Sequence, residues 1–194
     1  MNDETALRSQ LAAGHRNGIN GTKRRGVTVR QSDDPADFDQ FLAMLHDTAT
    51  RSQVRFYPDA YYRQLYDSLR REKAISFYVA EAEGQPVAAA VFYDWGGTRH
   101  YAHAGAFQDR NRKLKASVSL VWQAMLDAQA AGAHRFDMWG VAPEGDDNHP
   151  LAALSYFKKG YGGVPATYGG TWDIPVKRWK YRLYQLYRRL RGRA

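Results

Sequence analysis

The chain has 194 residues, a net charge of +8 and no cysteine. This length suits one domain whose core needs no covalent cross-link. Without cysteine, disulfides and thiolate metal sites are excluded. The N-terminal segment lacks the apolar core of a signal peptide, and no run approaches the roughly 18 apolar residues of a membrane span, so we expect a cytoplasmic protein.

The excess positive charge lies at the C-terminal end. Residues 177–194 contain eight basic residues and no acidic one, so the rest of the chain is balanced. Apolar residues recur there at helical spacing, namely Trp179, Leu183, Leu186, Tyr187 and Leu190. A basic amphipathic helix suits a polyanion such as RNA, or an anionic membrane face. A helix that is solvated, or packed on the domain or on a partner, is the open alternative.

The first half of the chain predicts a strand and two helices after a basic arm. Residues 1–25 are polar and interrupted by glycine, and we interpret them as a helical arm outside the core. Alternating β-branched residues predict a strand over Gly26–Arg30. Ser32–Pro35 is a helix start, and a second helix begins after Pro58 and Asp59.

The second half predicts a meander followed by alternating helices and strands. Short turns separate three strand-like segments, which are Ala74–Ala82, Pro86–Trp95 and Arg99–Gly105. The later elements are a helix over Leu114–Ala131, a strand over His134–Trp139, a helix over Pro150–Lys159, a strand over Ala166–Ile174 and a tail helix from Trp179. His103 and His134 are interpreted as strand residues without a catalytic role.

The resulting order is β-α-α-β-β-β-α-β-α-β. It predicts an α/β domain over residues 26–176, with a mixed sheet and helices on both faces, followed by a helix over 177–194. This order resembles the GNAT acyltransferase fold. Fold analogy alone does not give a function.

A GNAT enzyme that uses acetyl-CoA needs a glycine-rich turn before its long central helix, where backbone N–H groups bind the pyrophosphate. Here the basic segment Gln108–Lys115 stands at that position, and there is no glycine between Gly105 and Gly132. We therefore expect no CoA binding and no cofactor. We also expect no metal, because the acidic loop Glu144–His149 lacks the calcium-loop register.

The most specific segment is Leu154–Gly163, in which a short helix presents Phe157 and Lys158 before a glycine-rich turn. Glycine at such a turn lets another backbone approach closely. The strand-like Thr167–Asp173 follows. By itself the pattern is more typical of a helix C-terminus with a lysine near the negative end of the dipole.

This segment resembles the C-terminal signature of the Fem family, FKxGFGG before a strand, with Tyr161 in place of the second Phe. Four further stretches resemble family segments in the same order along the chain. They are Gly26–Val29, Thr48–Arg51 with Pro58 and Tyr61–Tyr62, Tyr101 with Gly105–Ala106, and Ala128 to Gly140 with Phe136–Asp137. The resemblance extends from about Arg8 to Arg191.

The resemblance implies transfer of an amino acid from aminoacyl-tRNA to an amine of a lipid-linked or nucleotide-linked peptidoglycan precursor. It implies that Lys158 stabilises the oxyanion or contacts the tRNA acceptor end, and that Phe157 packs against the donor. The expected substrate contacts are Arg51, Arg55, Tyr57, Tyr101, Gly160, Gly162 and Gly163. The expected tRNA contacts are Lys177, Arg178, Lys180 and Arg182.

Fem proteins usually have two GNAT-like domains, and only the second, with its lead-in helix, is matched here. A partner chain or a second copy supplying the other domain is therefore an expectation, as is peripheral contact with the inner membrane face. Two alternative functions stay open. One is a CoA-dependent GNAT N-acyltransferase, and the other is a non-catalytic module that binds RNA or membrane.

Overall fold

The computed structural model describes residues 3–52, 55–170 and 172–190. The chain divides into two compact units, Met1–Val164 and Pro165–Ala194. Across the described residues, no helix is both long and apolar enough to cross a membrane.

One five-stranded sheet organises the first unit. Its strands are β1 Val27–Gln31, β2 Ile75–Ala82, β3 Gln85–Trp95, β4 Thr98–Ala106 and β5 Arg135–Asp137. Their order in space is their order in the chain. The first four strands pair antiparallel, and β5 pairs parallel to β4. The sheet is therefore mixed, as the sequence predicts.

Eight helices accompany the sheet in the described part of the chain. They are α1 Glu4–Gln10, α2 Ala13–Asn20, α3 Pro35–Ser52, α4 Asp59–Arg71, α5 Gln108–Leu114, α6 Ala116–Ala130, α7 Ala152–Lys159 and α8 Arg178–Leu190. A single 3-10 turn, Lys23–Arg25, leads into β1.

Both faces of the sheet are covered because successive side chains of β2 point to opposite sides. Phe77 and Val79 pack with the apolar faces of α3 and α4. Tyr78 and Ala80 pack with α6 on the other face. The strand is buried along most of its length, and these two layers confirm the predicted GNAT-like α/β arrangement.

The predicted order differs from the structure in its last strand. The described residues of the segment 166–174 form no strand. This segment lies in the unit Pro165–Ala194, whose regular element is the helix α8. A strand needs a neighbour to accept its backbone hydrogen bonds, and alternating apolar residues alone do not provide one.

The N-terminal helices also differ from the expected arm. Leu7 and Leu11 are buried in the same core as α6 and the sheet. The backbone N–H of Ala12 donates to the Gly160 carbonyl at 2.9 Å. These helices therefore pack on the domain, because Leu7, Leu11 and Ile19 all lie on the side that faces it.

A buried arginine fixes the start of β4 to its neighbours. Arg99 Nε donates to Asp94 Oδ1 at 2.6 Å across the β3–β4 turn. Its Nη1 donates to the Tyr78 hydroxyl at 3.0 Å and to the Ala124 carbonyl of α6 at 3.1 Å. Charge-assisted bonds of this kind are stronger than neutral ones, so this end of β4 is held rigidly against α6.

Candidate active site

The sheet opens between β4 and β5. Their parallel pairing joins only Thr98–His100 to Arg135–Asp137. Beyond His100, β4 continues to Ala106 and pairs with β3 alone among the described strands. Six of the nine residues of β4 thus present their second edge without a strand partner in the described part of the chain.

A β-bulge at this opening changes which side chains face which layer. Val91 pairs with His103 and Phe92 pairs with Tyr101, so Ala102 is the extra residue. Without the bulge, residues 101 and 103 would share a face. With it, Tyr101 joins the α6 core, whereas His103 turns towards Tyr62 of α4.

His103 is the centre of an aromatic cluster on the α4 side of the sheet. Its Nε2 lies 2.9 Å from the Tyr93 hydroxyl, and its ring centroid lies 5.2 Å from that of Tyr62. Tyr57 and Tyr61 stack at 4.3 Å on the outer side of Tyr62. We define the aromatic cluster by its members, which are Tyr57, Tyr61, Tyr62, Tyr93, His100, His103 and Trp139.

The rim of the aromatic cluster reaches solvent while its centre is shielded. Tyr57, Trp139 and Tyr61 are 61%, 55% and 41% exposed. Tyr62 is buried and His103 is half-buried. The cluster therefore offers ring faces to a ligand around a polar interior.

Trp139 is held in a conformation that costs energy. Its φ is +65°, in the left-handed region that a bulky residue rarely adopts. Its backbone N–H donates to Asp137 Oδ1 at 2.7 Å, and Asp137 Oδ2 lies 3.3 Å from His100 Nδ1. Such strain costs on the order of 1–3 kcal/mol and concentrates at functional sites.

His103 and Tyr93, the polar pair inside the cluster, are both uncharged at neutral pH. Burial lowers the pKa of His103, because the imidazolium form loses hydration. Burial also raises the pKa of Tyr93 to about 12, with smaller contributions from Tyr61 and Tyr62. A neutral imidazole can accept a proton, so His103 has the character of a base.

Lys158 lies on the other side of the opening and is 6% exposed. Its Nζ donates to the Gly140 carbonyl at 2.6 Å. Burial lowers the pKa of Lys158, and the Asp137 carboxylate partly offsets this. The predicted catalytic cation is therefore a buried group that holds the loop after β5, close to Asp137.

Phe157 packs into the α6 core rather than at an open surface. Its ring centroid lies 5.5 Å from those of His15 and Tyr161 and 6.5 Å from that of Tyr101. Tyr101 is itself buried, and burial raises its pKa. Both predicted site residues thus form part of the wall behind the opening.

The glycine turn after α7 receives a backbone, as expected, but it is that of this chain. A Cβ at Gly160 would meet the His15 ring. Gly162 has a φ of +78°, and a Cβ there would meet the Gln10 carbonyl oxygen. Gly163 faces open space. The lack of a side chain at Gly160 and Gly162 therefore allows the α1–α2 segment to pack against this turn.

The remaining predicted site residues are dispersed. Arg51 pairs with Asp47 one turn earlier on α3, and Arg55 is exposed before α4. Tyr57 is the predicted residue that belongs to the aromatic cluster. The expected tRNA contacts lie in the second unit, with Arg178, Lys180 and Arg182 on α8 and Lys177 just before it.

Sequence reasoning misses the main members of the aromatic cluster. It assigns His103 to an ordinary strand position and does not single out Tyr93 or Trp139. The spacing of His100 and His103 places them on opposite faces of a regular strand. Only the bulge brings both to the face of Tyr93, and the sequence carries no clear signal for it.

The helix predicted over Leu114–Ala131 is α6, and the basic segment before it forms a separate helix, α5. Lys115, between the two helices, has a φ of +56°. The backbone N–H of Ser117, in the first turn of α6, donates to Asn111 Oδ1 at 2.8 Å. A side chain of α5 therefore occupies a donor that a phosphate would need.

The end of α2 and the turn before β1 cover the same end of α6. Thr22 Oγ1 lies 2.7 Å from Ser119 Oγ, and Arg25 Nε donates to the Leu114 carbonyl at 2.7 Å. With no glycine in α5 and these contacts in place, the residues present do not fit the backbone pyrophosphate site that CoA needs.

Residues 9–152 match the family model described as the acetyltransferase (GNAT) domain. This is more than half of the chain, and the chain belongs to that family of acyltransferases. No curated protein matches the chain.

Several solved structures share the fold. FemX is similar with a TM-score of 0.74 and 15% identity, over 83% of this chain and 56% of FemX. The aminoglycoside acetyltransferase meta-AAC0020 from an uncultured soil metagenomic sample, in complex with sisomicin, has a TM-score of 0.54 and 11% identity, over 78% of this chain and 98% of its own. A transcriptional regulator from Bacillus halodurans C-125 has a TM-score of 0.52 and 19% identity, over 76% of this chain and 99% of its own. At these identities the likeness concerns the fold, and the chain spans little more than half of FemX.

Proposed function

We propose that this chain transfers an amino acid from aminoacyl-tRNA to an amine of a peptidoglycan precursor or a related peptide. The observation that carries the choice of donor is the first turn of α6, where Asn111 occupies the Ser117 N–H. A CoA pyrophosphate would have to displace that bond. An aminoacyl ester needs no pyrophosphate site and no activation by ATP or metal.

Attack of an amine on an aminoacyl ester requires few catalytic groups from the protein. The acceptor nitrogen attacks the ester carbonyl carbon, a C–N bond forms, and the carbonyl oxygen becomes an oxyanion. A fixed cation nearby stabilises that charge. Lys158 has three N–H donors, of which Gly140 takes one, and its place beside the opening of the sheet supports this role.

The basic second unit supports a nucleic-acid donor. Arg178, Lys180 and Arg182 lie close together at the start of α8, and none of the residues from 177 to 194 is acidic. Arginine and lysine neutralise phosphates and release counterions, which is the main source of affinity for a nucleic-acid backbone. The likeness of the fold to that of FemX supports the same class of donor.

A CoA-dependent N-acyltransferase is the second candidate. It is favoured by the family match over residues 9–152 and by a fold shared with an aminoglycoside acetyltransferase along 98% of that enzyme's length. It requires that α5 rearrange to free the first turn of α6.

Two measurements separate the candidates. The purified chain is incubated with tRNA carrying a labelled amino acid and with amine-bearing peptidoglycan precursors, and the products are read by mass spectrometry. The same sample is titrated with CoA in a calorimeter. Aminoacylated product without CoA binding supports the proposal, whereas saturable micromolar CoA binding and acetylated product establish the second candidate.

A variant sharpens the CoA test. Asn111→Gly removes the side chain that occupies the Ser117 N–H and adds a flexible residue before α6. If α5 is what excludes CoA, this variant should gain weak CoA affinity. Arg112→Gly, at the neighbouring exposed position, is the matched control and should not.

A further inference from the structure

We propose that His103 accepts the proton of the acceptor amine, and that the rim of the aromatic cluster binds this amine as it arrives. This inference rests on the proposed function for the existence of an amine acceptor. It does not depend on which donor brings the acyl group, since both candidate donors are attacked by an amine.

The aromatic cluster has the geometry of a site for a cation that must become neutral. Primary amines are protonated in water near pH 7. Ring faces attract an ammonium within about 6 Å without giving it a counterion. The exposed faces of Tyr57, Tyr61 and Trp139 are of this kind. An ammonium taken from water by such rings loses hydration, which favours its neutral, nucleophilic form.

His103 stands where the proton lost by the attacking nitrogen can go. Its Nε2 lies 2.9 Å from the Tyr93 hydroxyl, which fixes the ring. In the tautomer whose Nε2–H donates to that hydroxyl, Nδ1 is the nitrogen that can accept a proton, and the ring is half-buried rather than sealed. The bulge at Ala102 turns this ring from the α6 core into the cluster.

The groups that face His103 leave it neutral at rest. On β3 and α4 they are the phenols of Tyr93 and Tyr62. Tyr61 lies against Tyr62, and Asp137, the last residue of β5, pairs with His100. On α3, Arg51 pairs with Asp47, and His46 pairs with Asp59 of α4. Burial is what lowers the pKa of His103, and no charged group among the described residues adds to that effect.

The proton balance of the step is simple. An acceptor that arrives as an ammonium first releases one proton to solvent. The neutral amine nitrogen then forms the C–N bond and becomes positively charged, and one of its protons passes to His103. The C–O bond of the ester breaks with its electron pair on the leaving oxygen. That oxygen takes a proton, and His103 returns its own to solvent. One amine and one ester give one amide and one alcohol.

The strained backbone at Trp139 fits this assignment. A residue other than glycine at φ +65° is retained when its side chain is needed in place. Asp137, which accepts from the Trp139 N–H, holds the ring at the rim, 6.1 Å from that of Tyr93. Trp139 is a positioning and binding residue in this scheme.

The test compares His103→Gln with wild type in transfer assays from pH 5 to 9, using aminoacyl-tRNA and, separately, acetyl-CoA. Glutamine can still bond to Tyr93 but does not take up a proton. Wild-type kcat/KM should fall on the acid side as His103 becomes protonated. Protonation of the substrate amine lowers kcat/KM in both proteins as pH falls. The variant should be slower by roughly 10²–10⁴-fold and should lack the additional acid limb that protonation of His103 causes in wild type below pH 6.5. His134→Gln, on an exposed histidine just before β5, should keep both rate and limb.

The outcomes are distinguishable. If acetyl-CoA is a donor and aminoacyl-tRNA is not, the proposed donor is wrong. The role of His103 is then decided by the pH dependence of kcat/KM measured with acetyl-CoA. A His103→Gln variant that keeps the additional acid limb of wild type overturns this inference while the proposed function stands. If neither donor gives product, histidine-labelled protein is titrated with a lysine-containing peptide and followed by NMR. Selective shifts at His103, absent with the acetylated peptide, support the amine site, and their absence overturns it.

Discussion

The backbone N–H of Ala12 donates to the carbonyl of Gly160 at 2.9 Å, and this bond joins the N-terminal helices to the turn after α7. The turn therefore receives the chain's own backbone. Because α2 and the turn after it also contact the first turn of α6, the same docking covers that turn and supports Phe157 through His15. Substitutions in this turn thus report on how the site is supported.

Gly162→Ala should lower the free energy of unfolding by about 1–3 kcal/mol, since φ +78° strains any other residue. The added Cβ would also meet the Gln10 carbonyl, which is backbone and cannot turn away. Urea denaturation measures the change. Gly163→Ala, next to it in open space, is the control and should stay close to wild type. Equal destabilisation in both variants would mean that the docking of α1 is not the cause.

Lys158→Met should both slow transfer and destabilise the fold. The Gly140 carbonyl loses its donor, but Gly140 is exposed and water can take that place, so the loss should be about 0.5–1.5 kcal/mol. Removal of one donor to an oxyanion lowers kcat by roughly 10²–10³-fold. Lys159→Met, on the exposed side of α7, should do neither. Activity is compared at a temperature where both variants are folded by circular dichroism. A folded Lys158→Met protein with wild-type activity would remove this residue from the mechanism.

Binding to tRNA should weaken steeply with salt. Changing Lys177, Arg178, Lys180 and Arg182 to glutamine should reduce the slope of log affinity against log salt by about 1 for each phosphate that these side chains neutralise. Fluorescence anisotropy at several salt concentrations measures this slope.

A matched variant tests whether position matters or only charge. Lys23, Arg24, Arg71 and Lys73 are exposed in the first unit, and their replacement by glutamine removes the same charge. This variant should keep most of the slope. If the slope falls equally in both variants, the second unit is not the tRNA-binding surface.

Acid should destabilise the first unit before its carboxylates titrate. Burial lowers the pKa of both His15 and His103 below 6.5 in the folded state. As pH falls through 6.5, the unfolded chain takes up protons that the folded chain does not. Stability from this source is therefore complete above 6.5 and declines as pH falls below it.

Thermal melts between pH 7.5 and 5 measure this decline. His15→Gln and His103→Gln should each flatten the dependence, because glutamine does not take up a proton. The carboxyl of Asp37 does not contribute in this range, since its pKa is lowered from 3.8. A wild-type protein with equal melting temperatures across the range would contradict the prediction.

Much of the fold follows from local patterns. Alternation between short turns predicts the β2–β3–β4 meander, and the strands form within a few residues of the expected bounds. The cap and proline at Ser32–Pro35 and the Pro58–Asp59 step predict the starts of α3 and α4. These features depend on neighbours in the chain, which a sequence displays directly.

What the chain alone determined, then, is the layered α/β arrangement, the basic C-terminal helix and the lack of a glycine cradle before α6. The tertiary structure decided the rest. In the tertiary structure Leu7 and Leu11 are buried, and Lys158 donates a hydrogen bond to the Gly140 carbonyl. The described residues after Val164 form no strand. A one-residue bulge in β4 directs the His103 side chain towards the aromatic cluster. Each of these depends on a partner distant in sequence, and such pairings are set by how whole layers pack rather than by any local pattern.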